Sequence, residues 1–182
     1  MKVIIIILIL AILSPKAFSD YSSTRTNVSY SVKHSSASEI KNLIRVPDEY
    51  YEIISKYAIE YDIPILFFIR LINKESRFDP NALNKNYNKY GGIVSYDLGI
   101  AQLNSKYIEE FEFRYKFDHI DPYDPIISLQ VAAVHLRTLY RQTKDWHLAI
   151  MAYNCGLSAV QNDRIPESTF SYMRYIIYGE DV

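Results

Sequence analysis

Residues 64–75 constrain this chain more than any other stretch. Leu66, Phe67, Phe68, Ile69, Leu71 and Ile72 make a helix that is apolar nearly all round, and such a helix needs neighbours covering every side. Pro64 suits its first turn, and Asp79, Pro80 and Asn81 stop regular structure soon after Ser76. Other segments supply the cover. Behind Pro47 and Asp48, the residues Tyr51, Ile54, Tyr57, Ala58 and Tyr61 recur at three- and four-residue steps. Asp124 followed by Pro125 reads as an N-cap and first-turn proline for a helix carrying Leu129, Val131, Ala132, Leu136, Leu139 and Tyr140. A short apolar helix runs from Trp146 to a stop near Gly156, and a last one follows Pro166 with Phe170, Tyr172, Met173, Ile176 and Ile177. Another helical block is expected to start near Gly99 and to include residues 105–113. Residues 84–94, rich in Asn, Tyr and Lys around Gly91 and Gly92, read as a long polar loop or a small hairpin. No segment reads as a run of strands. The expected fold is therefore one all-α domain, residues 46–182, of about six or seven helices with a polar loop insertion after the helix that ends at Glu75.

Composition agrees with a packed core and removes several functions. The 182 residues are 49% hydrophobic, and 20 Lys+Arg nearly balance 21 Asp+Glu for a formal charge of -1. That balance argues against a nucleic-acid partner. The single Cys excludes a disulfide framework within one chain, and the four His show no shared short spacing, so neither a metal site nor a cofactor is expected. Residues 1–19 read as a signal peptide: Lys2, an apolar run over 3–13, a break at Ser14 and Pro15, then Ala17, Phe18 and Ser19 before Asp20. The run is short of the roughly 20 apolar residues that span a bilayer, so membrane contact is expected only through an uncleaved signal segment. Removing residues 1–19 takes away Lys2 and Lys16 and leaves 18 basic against 21 acidic side chains, or -3. Residues 20–45 form a polar lead-in rich in Ser, Thr, Asn and Tyr. An exported chain places Cys155 in a compartment that often oxidises thiols, where it is either a small buried residue or the site of pairing between chains.

Glu75 is the first candidate for chemistry. It ends the most apolar helix, with Phe68, Leu71 and Ile72 seven, four and three residues behind it. Desolvation and the partial negative charge of a helix C-terminus both raise a carboxyl pKa, which suits a general acid working near neutral pH. Read alone, the same residue is also compatible with a solvated glutamate beside Lys74 and Arg77.

The segments around it are more specific. Glu75-Ser76-Arg77-Phe78 is followed by Ser95-Tyr96-Asp97-Leu98-Gly99-Ile100-Ala101-Gln102-Leu103-Asn104, then by Ala152-Tyr153-Asn154-Cys155-Gly156, and finally by Tyr172. In this order the four segments resemble the lytic transglycosylase family of the soluble-transglycosylase, goose-lysozyme-like type, over about residues 47–180. The lead-in Ser95-x-Asp97-x-Gly99 looks most like small members associated with secretion or flagellar machines.

The resemblance implies a lysozyme-like fold and cleavage of the β-1,4 bond between N-acetylmuramic acid and N-acetylglucosamine in peptidoglycan, outside the cytoplasm in the periplasm or as a secreted protein. It implies Glu75 as the single acid and base, with a 1,6-anhydro ring as product, and peptidoglycan glycan strands as the partner. Ser76, Gln102, Tyr153, Asn154 and Tyr172 would bind substrate, with Ser76 also able to hold Glu75 and the Tyr172 hydroxyl able to reach it. Gly99 would let the chain pass close to the sugar. Ala101 stands where relatives commonly carry Met or another larger residue, which would widen the groove. Two alternatives stay open. A water held by Asp97 or Asp79 would make the chain a goose-type hydrolase, and an idle groove would make it a glycan-binding module of an envelope-spanning machine.

Overall fold

The computed structural model describes residues 44–180. The signal segment (1–19) and all but the last two residues of the lead-in (20–45) lie outside the described residues. From Asp48 onward the described residues form seven helices and a small sheet.

Helix α1 (Asp48–Glu60) places Asp48 and Glu49 in its first turn, where carboxylates meet unsatisfied backbone N–H groups, and buries Ile54, Tyr57 and Ala58. Helix α2 (Ile65–Ser76) buries Leu66, Phe67, Phe68, Ile69, Leu71 and Ile72, as its all-round apolar sequence requires. Strands β1 (Leu83–Tyr87), β2 (Ile93–Leu98) and β3 (Leu103–Asn104) form an antiparallel sheet in that order. After it come α3 (Ile108–Tyr115), the long α4 (Pro125–Thr143), α5 (Trp146–Cys155), the short α6 (Leu157–Gln161) and α7 (Glu167–Tyr178).

The cover for α2 comes from α1 on one side and α7 on the other, while α4 and α5 pack on each other and link to α1 and α7. Small residues let the middle helices approach closely: Ala132 and Ala133 on α4 and Ala149 and Ala152 on α5 are all buried. Asp124 caps α4, accepting from the N–H of Ile126 at 2.8 Å and of Ile127 at 3.3 Å, with Pro125 behind it as the sequence reading expects. Arg70 of α2 donates from Nη1 to the carbonyls of Ile176 and Ile177 at 3.2 and 3.0 Å, satisfying the C-terminal end of α7. That bond fixes α7 against α2.

Two expectations are corrected. The hairpin reading of residues 84–94 is the one realised, but it extends into a three-stranded sheet where no run of strands is expected from sequence. In β1 and β2 polar residues take one face while Leu83, Tyr87, Ile93 and Tyr96 stand exposed on the other, so no core-facing alternation announces them. The helical block expected from Gly99 does not begin there. Gly99 and Gln102 are both left-handed, at φ 71° and 51°, and the chain makes a tight turn and β3 before α3 starts at Ile108.

Gly99 also has no room for a side chain. A Cβ there would lie 1.8 Å from the carbonyl oxygen of Pro122, so the close approach it permits is to the chain ahead of α4 and not to a sugar. Gly91, at φ 81°, has nothing within 4 Å of the same added atom. Gly99→Ala is expected to cost at least about 2 kcal/mol of unfolding free energy, against about 1 kcal/mol for Gly91→Ala. Chemical denaturation of the two variants measures the difference.

Candidate active site

Glu75 sits in the last turn of α2, and that turn is held by more than its own ladder. The helix ends at Arg77 and Phe78, two consecutive non-glycine residues at φ 55° and 66°. Such a pair costs of order 1–3 kcal/mol per residue and persists only where the surroundings enforce it. Phe78 is buried, and Ser76 donates its hydroxyl to the carbonyl of Ile100 at 2.6 Å. Those contacts tie the end of α2 to the turn that contains Gly99 and Gln102.

The Glu75 side chain is half-buried by its own surface yet surrounded by protein at the floor of a cleft of about 680 Å³. Burial pushes its carboxyl up to about 7. The Tyr172 hydroxyl donates to Oε1 and pulls the other way, and the charge of Asp97 adds a smaller upward push. Burial, the charge of Glu75 and the shared hydrogen bond hold the Tyr172 phenol well above its usual range, so it remains a donor. Tyr153, also raised by burial and by Glu75, donates to the carbonyl of Ala101 at 3.0 Å.

Two kinds of wall flank the cleft. On the sheet side Asp97 accepts from Asn104 Nδ2 at 2.7 Å through one oxygen and from Asn86 Nδ2 at 2.9 Å through the other. Each strand thus gives one residue to a fixed amide–carboxylate–amide group facing the cleft. An aromatic wall lines the cleft as well. Phe111 and Tyr115 of α3 stack with centroids 5.6 Å apart, and His135 of α4 packs 4.8 Å from Phe111 and 5.6 Å from Tyr153. Burial, with help from the charge of Arg114, drives His135 down to about 4, and the Tyr115 hydroxyl lies 2.7 Å from its Nδ1. The wall is therefore uncharged at neutral pH.

The residues singled out from sequence take different places. Glu75, Gln102, Tyr153 and Asn154 all border the cleft, and Tyr172 meets Glu75 from α7. Asn154 is exposed, its Oδ1 accepting from Thr169 at 2.7 Å. Gln102 spends its amide on the protein: Nε2 donates to Gly99 and Ala82 carbonyls at 2.9 and 3.3 Å, and Oε1 accepts from Asn84 at 2.6 Å. Ser76 lies outside the cleft lining with its hydroxyl on Ile100, so it braces the loop. Ala101 is fully buried and outside the lining as well, so its small size does not widen the groove. Asp79 is exposed and accepts from the backbone N–H of Asn81 at 2.9 Å, which is a turn cap away from the cleft. Cys155 borders the cleft as a free, half-buried thiol, raised by burial.

Asn86, Asn104 and the Phe111–Tyr115–His135 wall were not among the sequence candidates. The four-residue spacing of Tyr107, Phe111 and Tyr115 was the available signal for the wall. The raised carboxyl also leaves a mark on stability. Folding keeps a proton on Glu75 between about pH 4.5 and 7 that the unfolded chain releases. Its favourable contribution is complete below the unfolded value and lost as pH rises through the folded one. Glu75→Gln, neutral at all pH, should therefore gain stability relative to the parent by up to about 3 kcal/mol on going from pH 4 to pH 8. Urea titrations of both proteins at the two pH values check this.

Similarity to other proteins is consistent with this architecture. The inactive mutant of lytic transglycosylase Slt from Pseudomonas aeruginosa is 16% identical, with a TM-score of 0.59 over 72% of this chain. The 70 kDa soluble lytic transglycosylase SLT70 from Escherichia coli is 18% identical, with a TM-score of 0.53 over 79% of it. This chain spans 23% of the length of each, and the likeness establishes the lysozyme-like fold. No curated protein matches the chain in sequence. The profile of the transglycosylase SLT domain matches residues 52–173, which run from α1 into α7 and hold every residue of the cleft, and the chain belongs to that family.

Proposed function

We propose that this chain is a peptidoglycan lytic transglycosylase that works outside the cytoplasm, with Glu75 as its one acid and base. The reading rests chiefly on a single feature: a carboxyl group raised to about 7 and bonded by a phenol, at the floor of a cleft in an SLT-family chain. Near neutral pH such a group is populated in both forms, which is what a residue that must first give and then take a proton needs.

In the first step Glu75 donates its proton to the glycosidic oxygen as the bond to C1 of the muramic acid breaks. Positive charge grows at C1, where the neighbouring acetamido group assists and the fixed carboxylate of Asp97 adds favourable charge from the sheet side. Glu75, now ionised and stabilised by the Tyr172 hydroxyl, takes the proton from the C6 hydroxyl, whose oxygen closes onto C1 as the 1,6-anhydro ring. The proton count closes without water. Asn154 and Tyr153 would face the acetamido sugars, while Ser76 and Gln102 would act by holding the turn that shapes the floor. The nineteen N-terminal residues would direct export, and a secretion or flagellar apparatus is the machine the sequence motif suggests.

A second reading has a specific observation behind it. Asp97 borders the same cleft with both oxygens held, so a water on that carboxylate would make the chain an inverting hydrolase. Asp79 lies outside the cleft and does not support it. Mass spectrometry of digested peptidoglycan separates the readings, with 1,6-anhydromuramic ends expected and reducing ends supporting the hydrolase. Glu75→Gln should lower turnover at least about hundredfold, whereas unchanged turnover would indicate an idle, glycan-binding groove.

A further inference from the structure

Away from β3, the sheet turns its polar face inward and its apolar face outward. Asn84 pairs with Asp97, Asn86 with Ser95 and Asp97 with Asn104, which gives a polar face toward the cleft. The alternate pairs Leu83–Leu98 and Lys85–Tyr96 make the other face, joined after a register shift at Asn86/Tyr87 by Tyr87–Ile93, and at the β3 end that face runs into buried Leu103. There Leu83, Tyr87, Ile93 and Tyr96 are 47, 59, 45 and 37% exposed. A one-sided antiparallel sheet ordinarily turns its apolar face to the core and its polar face to water, and a cluster of this kind marks an interaction surface.

Among the described residues no strand pairs with the outer edge beside that face. Strand β1 is the outer strand. Its ladder begins with the Ala82 carbonyl accepting from Gly99 N–H at 2.8 Å, and the bonded pairs then alternate, so Leu83 and Lys85 direct their N–H and C=O groups outward. The hairpin tip beyond β1 is fixed by Asn88, whose Oδ1 accepts from the N–H groups of Tyr90 and Gly92 at 2.9 and 3.0 Å.

We propose that β1 receives an extended segment of a partner protein as a fourth strand, with apolar side chains over Leu83, Tyr87 and Tyr96 and an acidic one opposite Lys85. Other occupants fit less well. Glycan in the cleft lies against the opposite face. A lipid surface would cover the apolar residues without pairing the outward backbone groups of β1. A second copy paired about the central residue of β1 would set Lys85 against Lys85, a like-charge pair that destabilises a ladder. A strand from another protein satisfies the backbone groups and covers the apolar face together. Its charge preference follows from the hairpin. Lys85 and Lys89 are the cations of residues 83–98, and the lone acid there, Asp97, is turned to the cleft and held by two amides.

Synthetic ten-residue peptides that alternate Val and Thr around a central Glu or a central Lys test this against the purified full chain, by titration and by backbone hydrogen exchange. The Glu-centred peptide is expected to bind at least tenfold tighter than its Lys-centred twin and to slow exchange at the amides of Leu83 and Lys85. Lys85→Glu should reverse that order. Lys85→Pro removes an outward N–H but no ladder bond, a change edge strands accept, and should abolish binding. Both variants should cleave glycan at the parent rate. The proposal fails if neither peptide binds, if the two bind equally, or if Lys85→Pro leaves binding intact. Capture by phosphatidylglycerol vesicles, or a dimer in sedimentation that Lys85→Glu disrupts, would replace it with a lipid or a second copy.

Discussion

The position of one carboxyl group organises this molecule. Glu75 ends a helix that is apolar on every side, so its charge is costly there unless something offsets the burial. Tyr172 supplies part of that offset from the last helix of the chain. The two residues are brought together because α7 is held against α2, partly by Arg70 on the carbonyls of Ile176 and Ile177. The core and the site are therefore one construction: the apolar residues that make α2 central are the same ones that desolvate the group at its end.

The sheet adds a second layer of control. Its polar face serves the cleft by fixing Asp97 between two amides, and the turn between β2 and β3 is braced by Gln102 and Ser76. The left-handed residues Arg77, Phe78, Gly99 and Gln102 all fall where α2 and that turn meet. The left-handed conformations of the non-glycine residues Arg77, Phe78 and Gln102 are enforced here by packing that buries Phe78 and Ile100. With the cleft-facing side of the sheet committed to Asp97, its apolar side is left to face outward.

Sequence shows some of this directly and hides the rest for physical reasons. The Asp124 and Pro125 cap is legible because capping is decided within three residues. The central place of α2 is legible because all-round apolarity has one solution. The pairing of Glu75 with Tyr172 spans 97 positions, and no local pattern encodes it; only the resemblance of the four ordered motifs connects them. Ser76 and Gln102 are visible as polar residues inside motifs, but their partners depend on where a neighbouring carbonyl lies, and both turn inward. The clamp on Asp97 depends on strand register, which a polar stretch without a core-facing alternation does not reveal.

Burial keeps a large share of Glu75 protonated near neutral pH, while the Tyr172 hydroxyl favours its ionised form. Carbon-13 NMR of the labelled side-chain carboxyl groups, titrated from pH 3 to 9 and assigned by comparison with Glu75→Gln, tests it most directly. One glutamate resonance should have a midpoint near 7, be absent from the variant and move upward in Tyr172→Phe. A midpoint for Glu75 near the ordinary 4.5, unaffected by loss of the phenol, would contradict it.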